Sequence, residues 1–321
     1  MDAVTRQKQD GRRRSDPMFA YYGYRLGEMA VHLLPRSICY GVGSLVAWFL
    51  TTFFTSRFAG LEDNLRHVLP GASAAEIRSC MRRNVHNLTR CWIDVMASRP
   101  HDSAIANTSG VNVERLSTAL ARGQGAIVVS IHFGPWQTGA AAWNDRGGQV
   151  AVLAEELRPP RLFERIVAGR KRVGIHVIPI DAVGMRESDP ARARQIGATA
   201  LREVVRVLRS GGTVAVAMDR DMMGRGEVLP FFGEETLIPV GAVDLAIRTG
   251  AALVPAVLSR TERGITGTIY PEVSYDPAAP RDEEVRRVSL ELLNLFEGII
   301  RSAPDQWHVL DRVWPGKAPS R

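Results

Sequence analysis

Two short polar clusters each stand directly after an apolar run that reads as a β-strand. His132 follows "GAIVVSI", and Asp219-Arg220-Asp221 follows "TVAVAM". In an open α/β sheet, ligands collect outside the carboxyl ends of the strands, so both clusters belong on one rim. An imidazole and a carboxylate converging there form a general base with an orienting partner. Gly134 and Pro135 force a tight turn right after the histidine. A histidine so placed can also pack, or cap the helix that follows, and the residues alone leave both roles open. Further on, "LPFFGEETLIPVGAVDLAIRTGAALVPA" sets Phe231 and Phe232 beside Gly233, followed by a helix beginning near Pro239. That apolar loop suits either a hydrophobic ligand site or a core hairpin. Trp307 and Trp314 in "PDQWHVLDRVWP" read as structural anchors. The chain has no "GxSxG" element, which argues against a serine hydrolase.

The elements that must position these residues are legible from residue 105 onward, where short apolar strands alternate with helices. Strands are expected at Ala126–Ile131, Val150–Ala154, His176–Ile180, Thr213–Met218 and Leu253–Leu258. Helices are expected at Trp136–Asp145, Pro160–Val173, Pro190–Ser210, Val240–Thr249 and Glu283–Ser302, with Gly-Gly at 147–148 and 211–212 where helices should end. Near-continuous apolar strands separated by helices predict an α/β fold, a central mostly parallel sheet flanked by helices. The first hundred residues read instead as an N-terminal helical layer. A turn at "LPGAS" and a capping box from Ser73 to Glu76 divide its second half.

A chain of 321 residues, 45% hydrophobic and 23% charged, is globular and large enough for one sizeable domain. Cys39, Cys80 and Cys91 follow no paired or metal-ligand spacing, and the seven histidines are scattered. A reduced compartment and no metal are expected. The net charge of +7 lies almost wholly in residues 1–100, which hold 14 Lys and Arg against 8 Asp and Glu. The organisation expected is a disordered basic tail at 1–17, a helical membrane-associating region at 18–100 and an α/β core at 101–321. Ser37–Ser56 is 20 residues without a charge, bounded by Arg36 and Arg57. Twenty residues can just cross a bilayer, yet two glycines, three serines and three threonines lower the hydrophobicity. A helix lying in the interface or docked on the body is the reading preferred, and the flanking arginines suit anionic head groups. Basic charge and an apolar stretch in the same third of the chain favour a phospholipid surface over nucleic acid, for which no recognition motif is present.

The series "NLRHVLPG", "HFGPWQ", "AEELRPPRLFERIVAGRKRVG", "MDRDMMGRGEVLPFFGEE", "IPVGAVDLAIRTGAALVPA" and "PDQW" resembles the bacterial lysophospholipid acyltransferase family. The likeness covers roughly residues 60 to 310 and is nearest the branch of lipid A late acyltransferases and phosphatidylinositol mannoside acyltransferases. It implies an O-acyltransferase that takes a fatty acyl group from acyl-CoA or acyl carrier protein, as co-substrate, and no other cofactor. The acceptor implied is a hydroxyl of a polar lipid or glycolipid at the cytoplasmic face of the bacterial inner membrane.

The family motif sets an Asp or Glu five residues after its histidine, and here His132 is followed by Gln137. A neutral amide can orient an imidazole but cannot oppose the charge that forms on it. Three readings follow. Asp219 is the carboxylate partner of His132, as the mannoside branch implies, with Gln137 supporting from a hydrogen bond to Arg170. Or Gln137 is an engineered replacement of Glu. Or the chain is a catalytically impaired lipid-binding homologue. Under the resemblance, His132, Asp219 and Gln137 are the candidate catalytic set. Backbone amides near Gly134 or Trp136 are candidate oxyanion donors. Glu155 is a candidate contact for acceptor hydroxyls, and Phe232 for the hydrophobic substrate. Arg170 and Arg220 suit either donor phosphates or ion pairs across the rim.

Overall fold

The structure, a computed structural model, describes residues 18–100, 102–221 and 223–314. The expected basic tail at 1–17 lies outside the described residues. The first helices among the described residues are α1 (Met18–Leu33) and α2 (Arg36–Phe53), separated by Pro35, whose ring removes a helical N–H and leads the second helix. A 3₁₀ turn at Thr55–Phe58 leads to α3 (Ala59–Val68), and α4 (Ala74–Ala97) follows the "LPGAS" turn. At the start of α4, Ser73 Oγ accepts from the Glu76 N–H at 3.3 Å and the Ser73 N–H donates to Glu76 Oε2 at 2.7 Å, a complete capping box.

Next come α5 (Ser103–Ala106), β1 (Ser109–Val111), α6 (Glu114–Leu120), β2 (Ala126–Ser130), α7 (Trp136–Asp145), β3 (Val150–Glu155) and α8 (Pro160–Arg172). They are followed by β4 (His176–Ile180), α9 (Ala182–Glu187), α10 (Pro190–Arg209), β5 (Thr213–Ala217), β6 (Glu227–Phe231) and β7 (Glu234–Ile238). The chain then forms α11 (Gly241–Thr249), β8 (Ala252–Thr261), β9 (Gly264–Ile269) and α12 (Arg281–Ser302). The main sheet has seven strands in the order β1-β9-β8-β2-β5-β3-β4. Its pairs are parallel except β8 with β9. The fold is thus α/β, with a mostly parallel sheet flanked by helices. Strand β8 runs beyond the expected Leu258 because its outer half pairs with β9 as a hairpin. Neither β1 nor β9 was expected: the first is three exposed residues, and the second carries two glycines that weaken its pattern. The Phe231–Phe232 stretch belongs to a separate β6–β7 hairpin.

Alternate residues of β2 face opposite layers. Ile127 and Val129 join the cluster beneath α10, α11 and α12, with Val204, Val243 and Phe296. Ala126 and Val128 pack toward α6, beside Leu116 and Ala119. The N-terminal helices keep a smaller core of their own, built on Ala47, Leu61, Leu65, Ile77 and Met81. Two buried asparagines tie that core to the C-terminal segment. Asn64 Nδ2 donates to the carbonyls of Val309 (3.0 Å) and Asp311 (2.8 Å), and Asn84 Nδ2 to that of Trp307 (2.7 Å).

Helix α2 packs its small residues inward. Cys39, Gly43, Ala47 and Thr51 are buried at four-residue spacing, and a Cβ on Gly43 would lie 2.7 Å from Ile93. Its large apolar residues, Ile38, Val42, Leu45, Trp48, Phe49 and Phe53, are exposed. Helix α1 likewise exposes Phe19, Tyr22, Leu26, Met29 and Leu33. Among the described residues no single helix is long and apolar enough to cross a membrane. Arg36–Phe53 and Thr55–Val68 pass together by length and composition, but they bend by 99°. The second limb turns Leu61, Leu65 and Val68 into the protein.

Candidate functional site

Strands β2 and β5 are parallel neighbours, and Ser130 pairs with Ala217 at their carboxyl ends. Two residues past each member of that pair stand His132 and Asp219, so sheet register alone brings them side by side. Asp219 Oδ1 lies 2.8 Å from His132 Nδ1, and Oδ2 accepts the His132 backbone N–H at 2.8 Å. Oδ2 also accepts the Trp307 indole N–H at 2.7 Å. Trp307 is fully buried and is held in place by a β-bridge to Phe133 and by the His308 N–H donating to the His132 carbonyl at 2.7 Å.

The turn after His132 depends on Gly134. Its φ is +55°, and a Cβ would lie 2.1 Å from the Leu258 carbonyl oxygen. Any side chain here would push the turn off β8 and carry His132 with it.

Burial opposes a charge on Asp219, but the imidazole beside it and the donors from His132 and Trp307 outweigh that, holding its pKa below the ordinary carboxylate value. Burial likewise pushes His132 down, and the Asp219 charge and hydrogen bond outweigh it, so the net shift is upward. An ionised carboxylate only accepts hydrogen bonds, so in the neutral ring Nδ1 carries the proton and Nε2 keeps its lone pair. The pair has the chemistry of an oriented general base.

His132 stands in the wall of a cavity of about 460 Å³. Val128, Leu153, Val216, Leu258 and Ile269 make much of its surface apolar, and Trp136, Glu155, Arg170 and Arg220 also line it. Arg220 is ion-paired, 2.9 Å from Asp311 and 3.8 Å from Glu155. The Arg170 guanidinium lies over the Trp136 ring, 5.0 Å from its centre, and its Nε donates to Gln137 Oε1 at 2.9 Å. Among the described residues no group of His, Cys, Asp and Glu is placed to hold a metal ion.

Gln137, named with the candidate catalytic set, is buried and accepts from Arg170, the contact that the first of the three readings gives it, and no hydrogen bond joins it to His132. Other sequence expectations need correction. The amides proposed as oxyanion donors are already occupied: the Gly134 N–H donates to Gln306 O at 2.9 Å and the Trp136 N–H to Gly134 O at 3.0 Å. Phe232 does not line the cavity. It occupies the β6–β7 turn at φ 52°, packed against Trp307 and Trp314, because a two-residue hairpin turn drives it into the aromatic cluster under Asp219. Asp221, the second acid of "DRD", folds its own loop by accepting the N–H groups of Met223, Gly224 and Gly226. Sequence reasoning missed the role of Trp307, read there only as an anchor. Its neighbour Gln306 also meets the site, its carbonyl taking the Gly134 N–H, but both contacts are tertiary and "PDQW" carries no local sign of either.

Residues 12–315 match the family described as bacterial lipid A biosynthesis acyltransferase. The chain is similar to a phosphatidylinositol mannoside acyltransferase of Mycobacterium tuberculosis (strain CDC 1551 / Oshkosh), 28% identical over 300 residues that span 91% of this chain and 88% of the relative. The Mycolicibacterium smegmatis protein of the same name is 26% identical over 297 residues, 91% of this chain and 90% of its own. Among solved structures, the 1-acyl-sn-glycerophosphate acyltransferase PlsC of Thermotoga maritima aligns with 83% of this chain and 99% of its own, at 14% identity and a TM-score of 0.36.

Proposed function

The chain belongs to the bacterial lipid A biosynthesis acyltransferase family and is an acyltransferase acting on lipids; on that premise we propose its reaction. It moves a fatty acyl group from a thioester, acyl-CoA or acyl carrier protein, to a hydroxyl of a polar lipid or glycolipid. The observation that carries this reading is the His132–Asp219 pair set in the wall of a largely apolar cavity.

The acceptor hydroxyl donates to His132 Nε2. As its oxygen attacks the thioester carbonyl carbon, the proton passes to Nε2 and the carbonyl π pair moves to oxygen. Collapse of the tetrahedral adduct breaks the C–S bond, and the departing thiolate takes the proton back from the imidazolium. The alcohol's pKa is far above that of imidazole, so proton transfer and attack must be concerted. Asp219 favours the step by opposing the charge that builds on the ring. The apolar walls take the acyl chain, and Glu155 faces the acceptor hydroxyls. Gln137 gives no support to an inactive-homologue reading, since its amide belongs to Arg170 and the ring already has a carboxylate.

The reaction takes place at the cytoplasmic face of the inner membrane. The outward apolar faces of α1 and α2, together with the basic first third, support an interfacial attachment. The names of the relatives make a phosphatidylinositol mannoside the first acceptor to test. Purified protein is incubated with radiolabelled palmitoyl-CoA and a panel of lysophospholipids and mannosylated lipids, with His132→Ala as control. Labelled lipid well above that control is expected, and its absence across the panel refutes the proposal.

A further inference from the structure

Among the cations that line the cavity, Arg170 stands apart. Arg220 is neutralised by Asp311 and Glu155. Arg146 points Nη1 and Nη2 at the carbonyls of Ala142 (3.1 Å) and Thr108 (2.6 Å). Arg170 has a neutral partner, Gln137, at Nε, and among the described residues no carboxylate pairs with it. Its neighbours on α8 do not relieve it: Arg165 and Arg172 are themselves bound to the buried Glu28 on α1, at 2.8 and 3.3 Å. Burial lowers the Arg170 pKa to about 10, which leaves it fully charged near neutral pH.

A cation in a partly dry cavity, set over an indole and with no paired carboxylate among the described residues, is costly until an anion arrives. The indole of Trp136 and the amide of Gln137 hold the guanidinium in place and occupy Nε, which leaves Nη1 and Nη2 to meet a ligand. That edge matches two phosphate oxygens at once. We propose that Arg170, set by Trp136 and Gln137, binds a phosphate of the substrate inside the reaction cavity. This rests on the acyltransfer reading, because the phosphate belongs either to the donor's carrier or to the acceptor's headgroup.

The proposal gives Gln137 a definite purpose. A carboxylate at 137 would pair with Arg170 and cancel the charge offered to the ligand. The neutral amide holds the same geometry and leaves the charge in place.

Equilibrium binding tests this without turnover, in a His132→Ala background. One pair of probes is palmitoyl-CoA and palmitoyl-pantetheine, which lacks the phosphates. The other is phosphatidylinositol and diacylglycerol in detergent micelles. Arg170→Gln is expected to weaken one phosphate-bearing probe by roughly 10- to 100-fold, the worth of charge-assisted hydrogen bonds, and to leave its phosphate-free counterpart unchanged. The affected pair identifies the source. Gln137→Glu, which retains the arginine and adds an ion pair to the fold, is expected to weaken the same probe, and it keeps the test valid should Arg170→Gln unfold. Equal effects on both members of each pair, or none on either, overturn the proposal. Phosphate-selective binding in a protein that transfers no acyl group would refute the acyltransfer reading and leave the anion site standing.

Discussion

Replacing Asp219 by Asn should abolish most acyl transfer, for a reason that follows from which atoms already hold protons. Oδ2 of Asp219 accepts two N–H groups, the His132 amide and the Trp307 indole, and neither of these can accept a hydrogen bond. In Asp219→Asn the amide oxygen must therefore remain at the Oδ2 position. Its NH₂ is then forced toward His132 Nδ1. That nitrogen must become the acceptor, and the ring proton moves to Nε2, where the base's lone pair should be. The amide keeps the three hydrogen bonds that the carboxylate made and leaves only its second N–H without a named acceptor, so the fold is expected to survive while the base is lost. General-base catalysis contributes about 10²–10⁴-fold, equivalent to about 2.7–5.4 kcal/mol of barrier at about 1.36 kcal/mol per tenfold. The assay is single-turnover transfer from palmitoyl-CoA, paired with ¹⁵N NMR of the imidazole to read the tautomer. A rate within threefold of the parent refutes the reasoning. So does a large loss of rate with Nδ1 still protonated, since the defect would then lie elsewhere.

Four further outcomes are expected. Asp219 holds the His132 pKa above the ordinary 6.5, so the acidic limb of kcat/KM should lie above that value, and the imidazole titration followed by NMR should move to lower pH in Asp219→Asn. The linkage runs in two windows. The His132 contribution to stability is present below pH 6.5 and is lost as pH rises through its raised folded value. The Asp219 contribution is present above 3.8 and is lost as pH falls through its lowered folded value. Thermal melts across pH, compared with Asp219→Asn, check both signs. Trp307→Phe removes one donor to a buried carboxylate and should cost roughly 1.5–3 kcal/mol in stability, with a measurable fall in kcat; unchanged denaturant midpoint and rate would show that the indole N–H is idle. Trp48→Ser with Phe49→Ser, on the outward face of α2, should weaken binding to anionic vesicles by about tenfold or more without lowering Tm. Equal vesicle affinity would place the membrane contact elsewhere.

The sheet centre was legible because β2 and β5 are continuous β-branched and alanine runs bounded by Gly-Gln-Gly and Gly-Gly signals, and burial on both faces leaves such runs no other use. Helix α7 begins and ends where expected, since Pro135 and the Gly147–Gly148 pair mark its limits. The edge of the sheet was not legible. Strand β1 has no buried residue, and its pairing to β9 is a tertiary fact with no local pattern. Phe232 was misplaced for a related reason: hydrophobicity announces burial but not the side of the sheet. Trp307 was underread because its partner lies 88 residues away, and nothing near it in the chain says that a carboxylate waits there.

Gln137 shows most clearly how spacing along a chain differs from position in a fold. Counting five residues from His132 leads to a helix position that faces α8, and the side chain found there meets Arg170. Counting along the β2–β5 register leads from Ser130 and Ala217 to His132 and Asp219, two strand ends that the sheet holds rigidly together. An imidazole paired to a carboxylate across the sheet does not need the helix position for an opposing charge. A neutral residue at 137 therefore takes nothing from the imidazole, and it changes the electrostatics of the cavity by leaving Arg170 without a paired carboxylate among the described residues. On this reasoning Gln137→Glu should not raise the rate of a protein whose base is already paired. It should leave the His132 tautomer as it is and lower affinity for the phosphate-bearing substrate. A Gln137→Glu protein that is faster by orders of magnitude would mean that the orienting carboxylate belongs on the helix after all.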